Sequence, residues 1–84
     1  MRATRHVYAR EFEGELVLLD LAKGSYYGLD AIGARLWTAI TQGHTVAEVA
    51  EELASEYDVE PAVLRADLLD LVRNLAEKGL VEAV

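Results

Sequence analysis

At Asp30 the apolar residues of this chain change their period from two to about 3.6, so a block of strands must be followed by a block of helices. Upstream, Glu13-Gly14 separates the segment His6 to Phe12 from Glu15 to Leu21, and Lys23-Gly24 separates the latter from Ser25 to Leu29. These short segments are rich in β-branched, aromatic or leucine side chains, which predicts two successive hairpins and a three-stranded antiparallel meander. The middle strand is apolar on both faces, with Val17, Leu19 and Leu21 on one and Leu16 and Leu18 on the other. One face must pack on helices, and the other is not expected to be fully wet.

Downstream, Asp30 suits an N-cap, and Ile32, Leu36 and Ile40 with the neighbouring Trp37 predict a helix from about Ala31 to Thr41 that stops at Gln42-Gly43. Thr45-Val46-Ala47-Glu48 reads as a capping box, and Val46, Val49, Ala50, Leu53 and Tyr57 give the second helix its apolar stripe. Pro61 fits the first position of a third helix of about eighteen residues, and Gly79 fits its left-handed end with Leu80 folding back. The expected fold is α+β and winged helix-turn-helix-like, an N-terminal three-stranded antiparallel sheet followed by three helices. A length of 84 residues supports one core, so 1–84 is read as a single domain.

Composition narrows the function classes. The chain has no cysteine, which excludes disulfides, thiolate catalysis and cysteine-bearing metal sites. No apolar run reaches membrane-helix length and the basic N-terminus has no apolar stretch behind it, so the cytoplasm is the expected location. The net charge of -7 is uneven: residues 1 to 43 hold five acids and five bases, and residues 44 to 84 hold ten acids against Arg65, Arg73 and Lys78.

Catalysis has little to work with. Ser25 and Ser55 lie in no nucleophile motif, His6 and His44 are far apart, and neither HExxH nor a calcium-loop spacing occurs, so no catalytic residue, metal or cofactor is expected. Glu48 with Glu52 and Glu52 with Glu56 read as like-charge pairs on a solvated face. A winged helix suggests DNA binding, the alternative function, as a transcriptional regulator with helix two as a dimer face. However, helix two carries five acids from Glu48 to Asp58 and no base, where a phosphate backbone would lie. Nucleic acid is therefore not the expected partner.

Two features remain. The third strand, Ser25 to Leu29, is an edge with no proline to blunt it. On the third helix Leu64, Leu68, Leu69, Leu71, Val72, Leu75 and Ala76 span roughly 160°, wider than one core requires. Either that helix is clasped on two sides, or one flank is a groove. If it lies along the strand edge, an extended peptide can add as a fourth strand with alternate side chains against Leu64, Leu68 and Leu71. The plainer alternative is a helical bundle that simply covers the edge.

Glu15-Leu16-Val17-Leu18-Leu19-Asp20, Tyr26-Tyr27-Gly28-Leu29-Asp30, Gly33-Ala34-Arg35-Leu36-Trp37, Thr45-Val46-Ala47-Glu48-Val49-Ala50 and the stretch from Asp67-Leu68 to Gly79-Leu80 together resemble PqqD-like proteins. More closely, they are similar to the discrete leader-recognition subunit of split lasso-peptide leader peptidases. The resemblance implies a RiPP recognition element, a non-enzymatic module that binds the leader of a ribosomally made precursor peptide. It implies delivery of that leader to a separate cysteine-type peptidase, with a macrocyclase as a further candidate partner. On this reading the backbone of Ser25, Tyr26, Tyr27, Gly28 and Leu29 forms the ladder, and a proline at Tyr27 should break it. Leu64, Leu68, Leu71 and Leu75 then line the groove, with Asp67 at its rim. The acidic face of helix two, Glu48, Glu51, Glu52 and Glu56, is a candidate enzyme-docking surface.

Overall fold

The computed structural model describes residues 1–83. Its elements are β1 (Arg2–Ala3), β2 (Val7–Phe12), β3 (Glu15–Asp20), β4 (Ser25–Leu29), α1 (Ala31–Thr41), α2 (Val46–Tyr57), α3 (Pro61–Glu77) and β5 (Val81–Glu82). The expected antiparallel meander is present in the order β2-β3-β4, followed by the three expected helices. β1 and β5, too short to show a period, were not anticipated. They pair as a separate ribbon with Arg2 opposite Glu82 and Ala3 opposite Val81.

Local chemistry explains each boundary. Glu13 and Gly14 both have positive φ, 50° and 83°, as a two-residue type I′ hairpin requires. The second turn is longer than Lys23-Gly24 alone. The buried Asp20 carboxylate accepts the N–H groups of Ala22 and Lys23 at 3.0 and 3.1 Å, and its carbonyl accepts that of Gly24 at 2.9 Å. These bonds end β3 at Asp20, so Leu21, expected within the strand, is instead exposed in the turn. The Asp30 side chain caps α1 by accepting the Gly33 N–H at 2.8 Å. Gly33 lies close against β4: a Cβ there would stand 3.2 Å from Leu29 Cδ2, tighter than ordinary van der Waals contact.

Thr45 and Glu48 form the expected reciprocal capping box on α2, each bond 3.1 Å long. At the end of α3 the Leu80 N–H donates to the Leu75 carbonyl and the Gly79 N–H to that of Ala76, with Gly79 at φ 73°. This is a Schellman closure. It folds the chain back so that Leu80 and Val81 are buried and β5 can meet β1.

Leu16, Leu18 and Leu29 of the sheet meet Leu36, Trp37 and Ile40 of α1, Val49 and Leu53 of α2, and Leu64, Leu68 and Leu75 of α3 in one core. α3 packs chiefly on α2, and also touches α1 and β5. Among the described residues no helix is long and apolar enough to cross a membrane.

Candidate functional site

The register decides which groups of β4 are available. β3 pairs with β2 as Tyr8↔Leu19 and Arg10↔Val17, and the Leu21 N–H continues that ladder to the His6 carbonyl at 3.0 Å. Because antiparallel strands alternate the direction of their backbone groups, Val17, Leu19 and Leu21 point theirs toward β2, and Leu16, Leu18 and Asp20 toward β4. Their partners Leu29, Tyr27 and Ser25 therefore bond inward to β3. The N–H and C=O groups of Tyr26 and Gly28 point to the open edge. The five residues named from the sequence thus divide: two carry the free ladder groups and three hold β4 in the sheet. A proline at Tyr27 would remove a bond to β3, so Gly28 is the informative position instead.

Side chains divide the same way. Those of Ser25, Tyr27 and Leu29 share the inner face with Leu16 and Leu18, and Tyr26 and Gly28 lie on the outer face. Leu29 is buried, Tyr27 half-buried, and Ser25, Tyr26 and Gly28 exposed. Two lysines that were not expected in the site tie the end of α3 to this strand. Lys78 places its ammonium 5.5 Å from the centroid of the Tyr27 ring, a cation-π distance, and Lys23 Nζ donates to the Lys78 carbonyl at 2.9 Å. Neither contact is visible in a periodicity, because each joins a turn or helix end to a residue far along the chain.

On α3 the wide apolar arc resolves into a core seam and two flanks. Leu64, Leu68 and Leu75 are 8%, 2% and 0% exposed, which puts these three of the four expected groove leucines in the core. At 3.6 residues per turn, Leu71 lies about 40° to one side of that seam, with Lys78 and Asp67 farther round the same side. Because Lys78 reaches Tyr27, this is the flank that looks toward β4. Leu71 is half-buried there and Asp67 exposed. Asn74 falls on the same flank and was not singled out from the sequence. Leu69, on the opposite flank, is exposed beside a shallow depression shared with Ala47 and Ala50 of α2.

A cleft of about 860 Å³ lies elsewhere, between α1, α2 and the first hairpin, and none of its lining residues belongs to β4 or α3. Glu11, Glu48, Glu51 and Glu52 stand around it. The acids of α2 are less free than their like-charge spacing suggested. Arg35 of α1 binds Glu56 and, at 2.9 Å, Glu52. The hydrogen bond that Arg35 donates to Glu56 raises the guanidinium above its ordinary value, against an opposing effect of burial. The Thr45 N–H, with help from His44, holds the Glu48 carboxyl below its ordinary value. Of the four-residue acidic face, Glu51 alone has no side-chain hydrogen-bond or ion-pair partner among the described residues. No three His, Asp or Glu side chains converge as a metal site among those residues.

Residues 15–81 match the family described as Coenzyme PQQ synthesis protein D (PqqD). This chain belongs to the PqqD family. Among curated proteins it is 31% identical over 62 residues to the bifunctional coenzyme PQQ synthesis protein C/D of Methylorubrum extorquens strain AM1. That match covers 74% of this chain and 17% of the much longer bifunctional protein. Among solved structures, the PqqD-family chain is similar over its whole length to TbiB1 in complex with the TbiA(beta) leader peptide, at 36% identity, a TM-score of 0.89 and 98% coverage of TbiB1. It is similar to lasso peptide synthetase B1 complexed with the leader peptide at 32% identity and a TM-score of 0.90, covering 98% of this chain and 96% of the other. The PqqD truncation of Methylobacterium extorquens PqqCD, a stand-alone RiPP recognition element, matches at 30% identity and a TM-score of 0.79, over 98% of this chain and 87% of that one.

Proposed function

We propose that this PqqD-family chain is a RiPP recognition element of lasso peptide biosynthesis, a single non-enzymatic domain that binds a precursor's leader as a fourth strand on β4. The observation that carries the reading is the open edge of β4, where Tyr26 and Gly28 turn their backbone groups away from β3 and Lys78 ties the end of α3 to Tyr27 of the same strand. The likeness to two structures that hold leader peptides supports it. Ladder bonds supply affinity with little sequence preference, and alternate leader side chains that turn inward meet Tyr27, Lys78 and Leu71, where selectivity arises. Leu64, Leu68 and Leu75 act from beneath, by holding α3 in place.

With no nucleophile of its own, the chain delivers the leader to a separate cysteine-type peptidase, and a macrocyclase is a second candidate recipient. Tethering turns the encounter at the scissile bond into an intramolecular one, at an effective concentration on the order of millimolar. The cytoplasm, where precursors are synthesised, is the place of action. Gly28→Pro tests the binding mode, since its nitrogen faces the open edge and no atom lies within 4 Å of a Cβ at that position. The variant should retain its circular dichroism spectrum and lose at least tenfold in affinity for a fluorescein-labelled leader. Unchanged affinity in the folded variant would remove β4 as the site. In the same preparation, cleavage of precursor by this chain alone would overturn the non-enzyme assignment.

A further inference from the structure

The meander has a second edge, at β2. Among the described residues β2 pairs with β3 alone. His6, Tyr8 and Arg10 turn their backbone groups toward β3, so those of Ala9 and Glu11 point away from it, to the side of the sheet opposite β4. By register the side chains of Ala9 and Glu11 share the inner face with Leu18 and Leu16. Leu18 and Leu16 are buried, yet Ala9 and Glu11 are exposed. The packed layer therefore ends under β3, and the inner side of β2 overhangs open space. That space is the cleft of about 860 Å³, lined by Ala34, Val49 and Leu53 of the helices and by Glu11 of the strand. Its volume is that of a ligand site, for which about 300–1,000 Å³ is usual.

An open edge with a cleft beside it constrains an occupant twice. The edge calls for extended backbone, which can bond to the free groups of Ala9 and Glu11. Residues of an added strand that pair with Ala9 and Glu11 project to the inner face, so two side chains about 6.7 Å apart enter the cleft together. The lining decides their chemistry. Glu11, Glu48, Glu51 and Glu52 stand there against Arg35, whose charge Glu52 and Glu56 already engage. A second copy of this chain is a poor occupant, because each copy has a net charge of -7 and would bring its own four acids to the contact. We infer that β2 and this cleft form a second strand-addition groove, which takes an extended segment of a partner protein with lysine or arginine at every other position. The β2 groove stands independently of leader binding at β4. Two edges of one small sheet then hold two different chains, and neither displaces the other.

The experiment titrates the full ¹⁵N-labelled chain with a capped hexapeptide of alternating lysine and valine. A second hexapeptide of the same composition, with its three lysines in a block, is the control for charge alone. Expected are saturable amide shifts at Ala9, Glu11 and Glu51, with the alternating peptide bound at least fivefold more tightly than the block peptide and more weakly as salt is added. Glu51, exposed and without a side-chain partner, can be changed at little risk to the fold. Glu51→Lys should lower affinity for the alternating peptide at least tenfold, Glu51→Gln should lower it less, and both should keep leader affinity within twofold. Ala9→Pro, which removes an edge N–H that β3 does not use, should lower peptide affinity at least fivefold, with circular dichroism as the check on folding. Equal binding of the two peptides would leave only a diffuse charge attraction and overturn the groove. So would the absence of saturable shifts, unchanged affinity in Glu51→Lys, or peptide shifts at Tyr26 and Gly28 in place of Ala9 and Glu11. Leader that shifts Ala9 and Glu11 instead of Tyr26 and Gly28 would give this edge to the leader and overturn the inference as well.

Discussion

On the inner face of the sheet Leu16, Leu18 and Leu29 are buried against three helices, whereas on the outer face Tyr8, Phe12 and Tyr26 stand in solvent. Both faces are apolar, and both come from the same three strands. A sheet of this kind needs only one packed face to be stable, so the apolar residues of the other are not maintained by folding. One side of a single layer is thereby packed and the other left to solvent, and β4 contributes to both sides and to the edge between them.

The sharpest way to break this contrast is to truncate a matched pair. Leu18→Ala removes a fully buried side chain and should cost about 2–5 kcal/mol in urea unfolding, a large part of the stability of so small a domain. Tyr26→Ala on the outer face should cost no more than about 0.5 kcal/mol. Equal losses would show that the outer face is structural after all.

On α3 the contrast recurs across a single turn. Leu68→Ala should lose about 2–5 kcal/mol and affect leader binding only through folding. Leu71→Ala should lose less stability, with at least a tenfold loss of leader affinity by anisotropy. If Leu68→Ala folds and binds as weakly as Leu71→Ala, the division of α3 into core seam and open flank fails.

Controls remote from both faces should give smaller effects. Thr45→Ala removes the cap of α2 and should cost about 1 kcal/mol, with leader affinity unchanged. Glu48 adds a pH signature. Its folded-state value lies below the ordinary one, so its contribution is present above the ordinary glutamate value, near pH 4, and fades as the pH falls through the lowered value. Glu48→Gln should therefore flatten the acid side of the stability curve below about pH 4 and leave neutral-pH leader binding intact. Arg35→Ala breaks exposed pairs with Glu52 and Glu56 that should contribute no more than about 1 kcal/mol and weaken with salt.

Much of the fold was legible because it depends on neighbours in the chain. The period change at Asp30, the box at Thr45 and Glu48, Pro61 at the start of α3 and Gly79 at its end are each complete within a few residues; the capping bonds of Asp30, of Thr45 with Glu48 and of Gly79 are present, and Pro61 opens α3 without one. The β4 edge was legible as an edge for the same reason, since a meander leaves its last strand open.

What the sequence could not hold is information about sides and distances. The β1–β5 ribbon joins Arg2 to Glu82 across almost the whole chain, and two-residue strands have no period to detect. The pairing of Arg35 with Glu52 and Glu56 depends on how α1 packs on α2, so those acids looked like a plain solvated face. The leucines of α3 were indistinguishable on a helical wheel, which gives angles about an axis but not what stands at each angle. The placement of α1, α2 and Lys78 put Leu64, Leu68 and Leu75 inside and left Leu71 on the open flank. By itself the sequence determined the meander, the three helices, most of their ends and the open strand, because those are local. Which apolar residues became core and which surface only the tertiary structure decided, because burial belongs to the neighbours a residue acquires on folding.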